Sequence, residues 1–186
     1  MEKGIESYLR FLKGDQSEMR TIVELYWDSM LLFTNSYLHD LQEAEDIAQE
    51  ALIRLCVKRP HFQEDHQLKA YLMRICRNLA LNHLKKQGRL TAVTPEMAEV
   101  IPDDTIAVQD RMEMGDTQRQ LHRAMQKLRQ DYREVLYLRY FADLSMKETA
   151  KVMHISEKQA TAIAYQARQQ LKKLLEKEGY TGEELR

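Results

Sequence analysis

The residues that could do chemistry in this chain fall into two adjacent groups of opposite charge. The segment 40–50 contains five acidic residues and no basic one. The next segment, 54–89, contains nine lysines and arginines against only Glu64 and Asp65. The whole chain has a net charge of only −1, so the separation of charge is a local feature. It predicts a module with two partners, one that prefers acidic side chains and one that is itself acidic, for which nucleic acid is the obvious candidate.

Patterns typical of catalysis or of cofactor binding are not visible. The sequence shows no glycine-rich phosphate loop and no pairing of a nucleophile with a base, so we predict no enzyme activity, no catalytic residue and no cofactor. Cys56 and Cys76 lie in apolar stretches and are interpreted as reduced core thiols. A zinc site formed by Cys56 with His61 and His66 is the alternative, but the six histidines show no metal-ligand spacing.

Helices must position both charged groups, because glycine and proline are scarce and alternating β-branched runs are absent. The apolar spacing predicts helices over about 5–12, 19–38, 41–57, 68–86, 117–129 and 131–141. No apolar run approaches the roughly 20 residues that cross a bilayer, and the N-terminus does not resemble a signal peptide. We therefore expect a cytoplasmic protein without membrane insertion.

The fourth of these predicted helices has two distinct faces at 100° per residue. The arc expected to face the core contains Leu68, Leu72, Ile75 and Leu79. The stripe beside it contains Arg74, Asn78, Asn82 and Lys85, with Arg77 and Lys86 near its edges. A solvated polar face is the plain interpretation, but asparagine is a poor helix former and Glu or Lys would serve solubility equally well. A basic stripe with amide groups suits phosphates and base edges.

Two capping boxes predict a helix-turn-helix near the C-terminus. Ser145 with Glu148 and Ser156 with Gln159 match the Ser-x-x-Glu/Gln pattern, so two helices should begin eleven residues apart. An ordinary helical hairpin is the alternative. The buried arc of the second helix is predicted to contain Ala160, Ile163, Ala164, Ala167, Leu171 and Leu174. The opposite arc contains Lys158, Thr161, Ala162, Tyr165 and Gln169, with Glu157 and Gln166 at its margins.

The two halves are separated by a segment of different composition. Residues 88–116 contain Pro95 and Pro102, little periodicity, and seven acidic residues against Arg89 and Arg111. This composition is typical of an extended acidic linker. A plain tether and a segment that occupies a basic groove on a partner are both open interpretations.

Three segments, in order and at the right spacing, resemble bacterial sigma factors of the extracytoplasmic-function (ECF) type, in the sigma-seventy family. AEDIAQEALIRL at 44–55 matches region 2.2 of that family, and LKAYLMRICRNLALNHLKK at 68–86 is similar to its regions 2.3 and 2.4. LRQDYREVLYLRYF at 128–141, followed by LSMKETA at 144–150, is similar to region 4. The resemblance extends from about residue 11 to residue 175.

The resemblance implies an all-α protein of two small helical domains joined by an extended linker. Residues 1–87 would form region 2, which docks on core polymerase and recognises and melts the −10 element. Residues 88–116 would form the linker. Residues 117–186 would form the region 4 helix-turn-helix, which recognises the −35 element.

The same resemblance implies the partners and the residues that contact them. The protein would bind core RNA polymerase, through its β′ and β subunits, and promoter DNA, and an anti-sigma factor would control it. The polymerase-binding residues would be Asp46, Gln49, Glu50 and Ile53, with the acidic helix docked on the β′ coiled coil. The loop 61–67 would receive a flipped base, and the −10 residues would be His61, Gln63, Arg74, Arg77, Asn78, Asn82, Lys85 and Lys86. The −35 residues would be Lys158, Gln159, Thr161, Ala162, Tyr165, Gln166 and Arg168.

The recognition helix departs from the pattern of the family, because several expected cations are missing. Lys158, Arg168, Lys172 and Lys173 remain. Each lost phosphate contact lowers the affinity for DNA and flattens its salt dependence. We therefore expect weaker or differently directed −35 recognition, with Tyr165 and Gln166 as specificity groups. Two other hypotheses stay open: a DNA-binding regulator that never joins polymerase, and a sigma-like module that mainly binds a regulatory protein.

Overall fold

The chain folds into helices throughout the part that the structure describes. The computed structural model describes residues 3–88 and 116–177, and these ranges contain eight helices and no strand. The helices are α1 (Lys3–Leu12), α2 (Glu18–Leu38), α3 (Leu41–Lys58), α4 (Asp65–Lys86), α5 (Asp116–Gln126), α6 (Gln130–Tyr140), α7 (Met146–Met153) and α8 (Glu157–Lys177). The predicted all-α fold is confirmed. The predicted linker lies outside the described residues except for its two ends.

Short polar side chains fix where the helices of the second half begin. Both predicted capping boxes are present: Ser145 exchanges hydrogen bonds with Glu148, and Ser156 does so with Gln159. His154 takes a left-handed conformation between the two helices, with φ of 57°, and ends α7 there. The helix-turn-helix is therefore formed by α7 and α8, with the predicted spacing.

Helix α4 begins three residues earlier than predicted, because a long-range contact stabilises its first turn. The carboxylate of Asp65 is buried and accepts hydrogen bonds from the backbone N–H of Ile5, at 3.0 Å, and from the hydroxyl of Tyr26. These partners are 60 and 39 residues away in sequence, so the apolar periodicity of α4 cannot predict them. The loop between α3 and α4 is residues 59–64 and therefore ends three residues before the predicted 61–67 does.

The prediction of which α4 residues face the core is partly wrong. Leu68 and Leu72 are buried as predicted, whereas Ile75 and Leu79 are only half-buried. The buried positions that continue the arc are Met73, Cys76 and Ala80. The buried arc is rotated because α4 packs against helices of both halves. The prediction assumed one buried face and so did not include the contact with α7.

The two halves pack directly against each other in this structure. Helix α6 lies against α2, and α7 lies against α4. Nearly all buried apolar side chains of the two halves belong to one continuous cluster, which runs from Ile5 to Leu175. The basic helix α4 is therefore in contact with the first helix of the helix-turn-helix.

Candidate functional surfaces

The acidic face of α3 is exposed and continues into apolar side chains. Asp46 and Gln49 are exposed, and the half-exposed Glu50 pairs with Arg54 at 2.8 Å. One turn further, Ile53 exposes 56% of its surface and Val57 exposes 75%. Val57 was not among the predicted site residues, although its position four residues after Ile53 places it on the same helical face. Two large exposed aliphatic side chains beside carboxylates are typical of a protein-binding surface.

The loop that precedes α4 is held by an aromatic side chain that was not among the predicted site residues. Phe62 packs between Tyr8, with ring centroids 5.5 Å apart, and Tyr71, at 5.2 Å. His61 and Gln63, on either side of it, are exposed. The hydroxyl of Tyr8 also donates to the carbonyl of Pro60 at 2.7 Å. The loop therefore presents two polar side chains on a backbone that is anchored from α1 through Tyr8 and from α4 through Tyr71.

Most of the predicted polar stripe of α4 is open to solvent. Arg74, Asn78, Asn82, Lys85 and Lys86 are all exposed. The guanidinium of Arg74 lies 5.7 Å from the ring centroid of Tyr71, which is a cation–π distance and ties the stripe to the loop aromatics. The exposed stripe has cationic and amide groups on one helix, and both bind phosphates and base edges.

The C-terminal end of this stripe borders a groove of about 350 Å³ between α3 and α4. The floor of the groove includes the apolar side chains of Ile47 and Leu79. The remaining lining residues are Arg54, Asn82, His83, Lys85 and Lys86. The groove thus brings Arg54 of the acidic helix together with three predicted DNA-binding residues. Arg54 was not predicted as a site residue, because in the sequence it belongs to the docking segment.

Arg77 differs from the other predicted −10 residues because it is not exposed and forms an ion pair with the other half of the protein. Its Nε donates to Oε1 of Glu134 at 2.6 Å, and the two side chains are only 18% and 4% exposed. Glu134 lies in α6 of the other half. Burial raises the pKa of Glu134, while the neighbouring Arg77 opposes that shift. Arg77 is therefore directed towards the second half of the protein.

The structure places the side chains of α8 on the inner and outer faces that the helical spacing predicts. Ala160, Ala164, Ala167 and Leu171 are buried, and Ile163 and Leu174 are half-buried, as expected for the inner face. The predicted −35 residues Lys158, Gln159, Thr161, Ala162, Tyr165, Gln166 and Arg168 are all exposed. Five of them line a shallow surface hollow together with the acidic Glu157. Gln166 accepts a hydrogen bond from the Tyr132 hydroxyl at 2.7 Å, which orients its amide.

The cysteines and histidines have ordinary structural environments. Both thiols are free, and burial raises the pKa of Cys76 to about 12, as expected for an inert core thiol. His66 pairs with Glu64 and Glu148. In residues 3–88 and 116–177 no three His, Cys, Asp or Glu side chains are grouped as metal ligands would be. Over the same ranges, no helix combines the length and the apolar character that crossing a membrane requires.

Two family models match the chain, one in each half. The model for sigma-70 region 2 matches residues 23–90, and the model for sigma-70 region 4 matches residues 118–171. The matched ranges contain the acidic face of α3, the stripe of α4 and most of the exposed face of α8. The order of the two regions is the one that the sequence motifs predict.

Curated relatives match over nearly the whole chain. The chain is 32% identical to the RNA polymerase sigma-H factor of Pseudomonas aeruginosa over 175 residues, which cover 90% of this chain and 91% of that protein. It is 29% identical to the ECF RNA polymerase sigma factor SigW of Bacillus subtilis, over 88% of this chain and 91% of the relative.

Solved structures show the same fold. CnrH in complex with the cytosolic domain of CnrY matches with a TM-score of 0.63 at 18% identity, covering 94% of this chain and 98% of that chain. The sigma factor RpoE in complex with the anti-sigma factor NepR, from Bartonella quintana, matches with a TM-score of 0.60 at 21% identity, covering 84% and 96%. From these family models and relatives, the chain belongs to the ECF-type sigma factors of the sigma-70 family, which are transcription initiation factors and not enzymes.

Proposed function

We propose that this sigma factor docks on core RNA polymerase through α3 and recognises a two-part promoter through α4 and α8, in the cytoplasm. Residues 1–87 would act as region 2, residues 88–116 as the linker and residues 117–186 as region 4. The observation that carries the proposal is that two neighbouring helices expose faces of opposite charge. Helix α3 exposes carboxylates and aliphatic side chains, and α4 exposes cations and amides.

The docking surface in this proposal consists of Asp46, Gln49, Glu50, Ile53 and Val57. Its carboxylates would repel the phosphates of DNA, so the surface needs a partner that is not a nucleic acid. The exposed Ile53 and Val57 supply apolar area at its C-terminal end, and the acidic groups beside them supply orientation and charge complementarity to a basic coiled coil. We assign the β′ subunit as the partner of α3.

The −10 surface in this proposal begins at the loop before α4 and continues along the helix. His61 and Gln63 would contact the extruded base, while Asn78 and Asn82 would contact the melted strand. Extruding a base costs a few kcal/mol, so a preformed loop lowers the cost of ordering it. The packing of Phe62 between Tyr8 and Tyr71 supplies that order. Arg74, Lys85 and Lys86 would hold phosphates.

Run-off transcription with core RNA polymerase on a promoter library tests the proposal. We expect transcripts that depend on this chain and that share one −10 sequence, with weaker preference at −35 because α8 lacks several cations. A pull-down with core polymerase in the same preparation separates a sigma factor from a regulator that binds DNA alone. Absence of polymerase binding would exclude the proposed function, whatever DNA the chain binds.

Replacing Phe62 with alanine is expected to weaken promoter opening by about tenfold with little loss of helix content. The ring anchors an exposed loop, and without it His61 and Gln63 lie on a flexible segment. The conformational entropy lost in ordering that segment then opposes binding. Permanganate reactivity of unpaired thymines measures the opening. Leu25→Ala, which truncates a side chain that is 42% exposed on α2, is the control. Equal opening by the two variants would mean that the Phe62 anchor has no role.

A controlling anti-sigma factor is the second part of the proposal. The RpoE structure that this fold resembles contains the anti-sigma factor NepR. For this chain, the exposed aliphatic surface of Ile53 and Val57 is available both to polymerase and to a competing protein. An anti-sigma factor that covers this surface would block docking. Such a protein should compete with core polymerase for the wild-type chain. Loss of this competition in Val57→Asp would support the shared surface.

A further inference from the structure

We propose that Tyr132 is a positioning residue for promoter recognition: its hydroxyl fixes the amide of Gln166 as a hydrogen-bond donor, so that α8 selects guanine at one position of the −35 element. The inference rests on the proposed function, since it names the base that one residue of α8 would read. It is carried by the hydrogen bond of 2.7 Å from the Tyr132 hydroxyl to Oε1 of Gln166.

Tyr132 is itself held on several sides. It lies in the first turn of α6, which packs against α8, and it is only 5% exposed. Its backbone N–H donates to Oδ1 of Asp131 at 3.0 Å. The guanidinium of Arg129 lies 4.6 Å from the ring centroid and is fixed by two hydrogen bonds to Asp131. The hydroxyl is therefore presented to α8 from a ring that is fixed in position.

The cation over the ring favours the hydroxyl as a donor. A positive charge above an aromatic face withdraws electron density from the ring and so polarises the O–H bond. The oxygen of an amide is the acceptor that such a donor needs, whereas the amide nitrogen can only donate. If the amide were reversed, the hydroxyl would have to accept, which the cation disfavours. Tyr132 therefore stabilises the orientation of Gln166 in which Oε1 faces α6.

The rest of the Gln166 amide faces the surface that we assign to the −35 element. Gln166 is exposed and lines a shallow hollow with Thr161, Ala162 and Tyr165. Over these six positions the helix rises about 7.5 Å, which is less than the major-groove width of about 12 Å. One docking of α8 can therefore bring all four side chains to base edges. Because Oε1 points to Tyr132, Nε2 is the amide atom left for the groove.

An amide that can only donate reads fewer bases than a free one. A free glutamine binds adenine with both polar atoms, since its oxygen accepts from N6 and its nitrogen donates to N7. With the oxygen occupied, the N6 amino group of adenine meets a second donor. Guanine instead presents two acceptors, N7 and O6, while thymine presents one and cytosine presents only a donor. Gln166 should therefore prefer guanine.

Base readout carries a large share of the discrimination in this chain, because α8 has few cations. Among the residues that line the hollow only Lys158 is basic, and Glu157 beside it is acidic. Phosphate contacts then contribute less to the affinity, and hydrogen bonds to base edges contribute more. An amide that is already oriented loses less rotamer freedom when DNA binds than a free amide does. The hydrogen bond from Tyr132 thus strengthens the contact as well as directing it.

Selection from a promoter library with a randomised −35 element tests the inference, with this chain bound to core RNA polymerase. The wild-type chain should enrich guanine over adenine about tenfold at one position. In Gln166→Ala the four bases should be enriched equally there, which identifies the position that Gln166 reads. In Tyr132→Phe, which keeps the ring, the ratio of guanine to adenine should fall to about twofold, because the freed amide can bind adenine.

Two controls separate positioning from a structural role. Tyr140→Phe removes a hydroxyl from the same helix at a residue that is 58% exposed, and it should leave every base preference unchanged. The double variant of Tyr132→Phe with Gln166→Ala should match Gln166→Ala alone, because Tyr132 acts only through Gln166. Binding of a duplex without a promoter should differ by less than about twofold among all variants, since no cation is changed.

Three results would overturn the inference. The first is a base ratio that Tyr132→Phe leaves unchanged, and the second is an effect of Tyr132→Phe that persists in Gln166→Ala, because the hydroxyl would then act through packing. The third is a polymerase complex that selects a −10 element but either shows no position dependent on Gln166 or prefers another base there. If the wild-type chain and core polymerase select no promoter at all, the proposed function itself is contradicted.

Discussion

Run-off transcription is expected to fall at least about 30-fold when Asp46 is replaced with arginine, while the helix content remains that of the wild-type chain. Asp46 is exposed on α3, and the core contacts of that helix are made by Ala44, Ile47 and Ala48 on its other face. The fold should therefore tolerate the change. A reversed charge at a docking surface places like charges together, and losing a close interfacial charge pair costs about 2–5 kcal/mol, which corresponds to a factor of about 30 or more in affinity.

The measurement compares transcription and polymerase pull-down for two variants. Asp28→Arg makes the same charge change at an exposed position of α2, outside the proposed docking surface, and should transcribe normally. If Asp46→Arg also transcribes normally, the assignment of α3 to polymerase is wrong. If it binds polymerase normally but fails to transcribe, Asp46 acts at a later step and the docking surface must be sought elsewhere on α3.

Replacing Gly4 with alanine is expected to lower the free energy of unfolding by about 3 kcal/mol. A Cβ atom at this position would lie inside van der Waals contact of the Tyr26 hydroxyl and the Asp65 carboxylate. Both groups are buried and hydrogen-bonded to each other, and Asp65 also accepts a hydrogen bond from the N–H of Ile5. Neither side chain can therefore move without breaking a hydrogen bond. Overpacking costs about 1–3 kcal/mol, and an unsatisfied buried polar group costs a similar amount again.

Thermal unfolding followed by circular dichroism measures this effect. A loss of about 3 kcal/mol corresponds to a fall in Tm of about 10 °C for a chain of this size. The double variant Gly4→Ala with Tyr26→Phe should recover part of the loss, because it removes the nearest obstructing atom. Helix propensity alone predicts the opposite sign, a gain of about 1 kcal/mol, since alanine is the better helix former. A rise in Tm would show that propensity decides at Gly4 and that the crowding is absent.

The α3 segment shows what can be predicted from local sequence. Five acidic residues lie in the segment that contains the start of α3. The helical spacing of Asp46, Gln49 and Ile53 places these three residues on one face without any knowledge of the rest of the fold. The two capping boxes are predictable for the same reason, since each joins residues only three positions apart. The missed Val57 was within reach of the same rule.

The first turn of α4 and the direction of Arg77 show what cannot be predicted in this way. Asp65 begins the helix early because its partners, Ile5 and Tyr26, lie in other helices. Arg77 appears in sequence as one more cation at the edge of a DNA-binding stripe. Only the packing of α6 on the first half supplies Glu134, 57 residues away, as its partner.

The sequence by itself determined the helical class, the order of the two halves, the exposed face of α8 and the family, because those depend on periodicity and on motifs within single segments. The tertiary structure decided which face of α4 is buried, how the loop of His61 and Gln63 is anchored, and that the two halves close on each other. Those features depend on contacts between residues far apart in the chain, and neither periodicity nor composition records which distant side chains will meet.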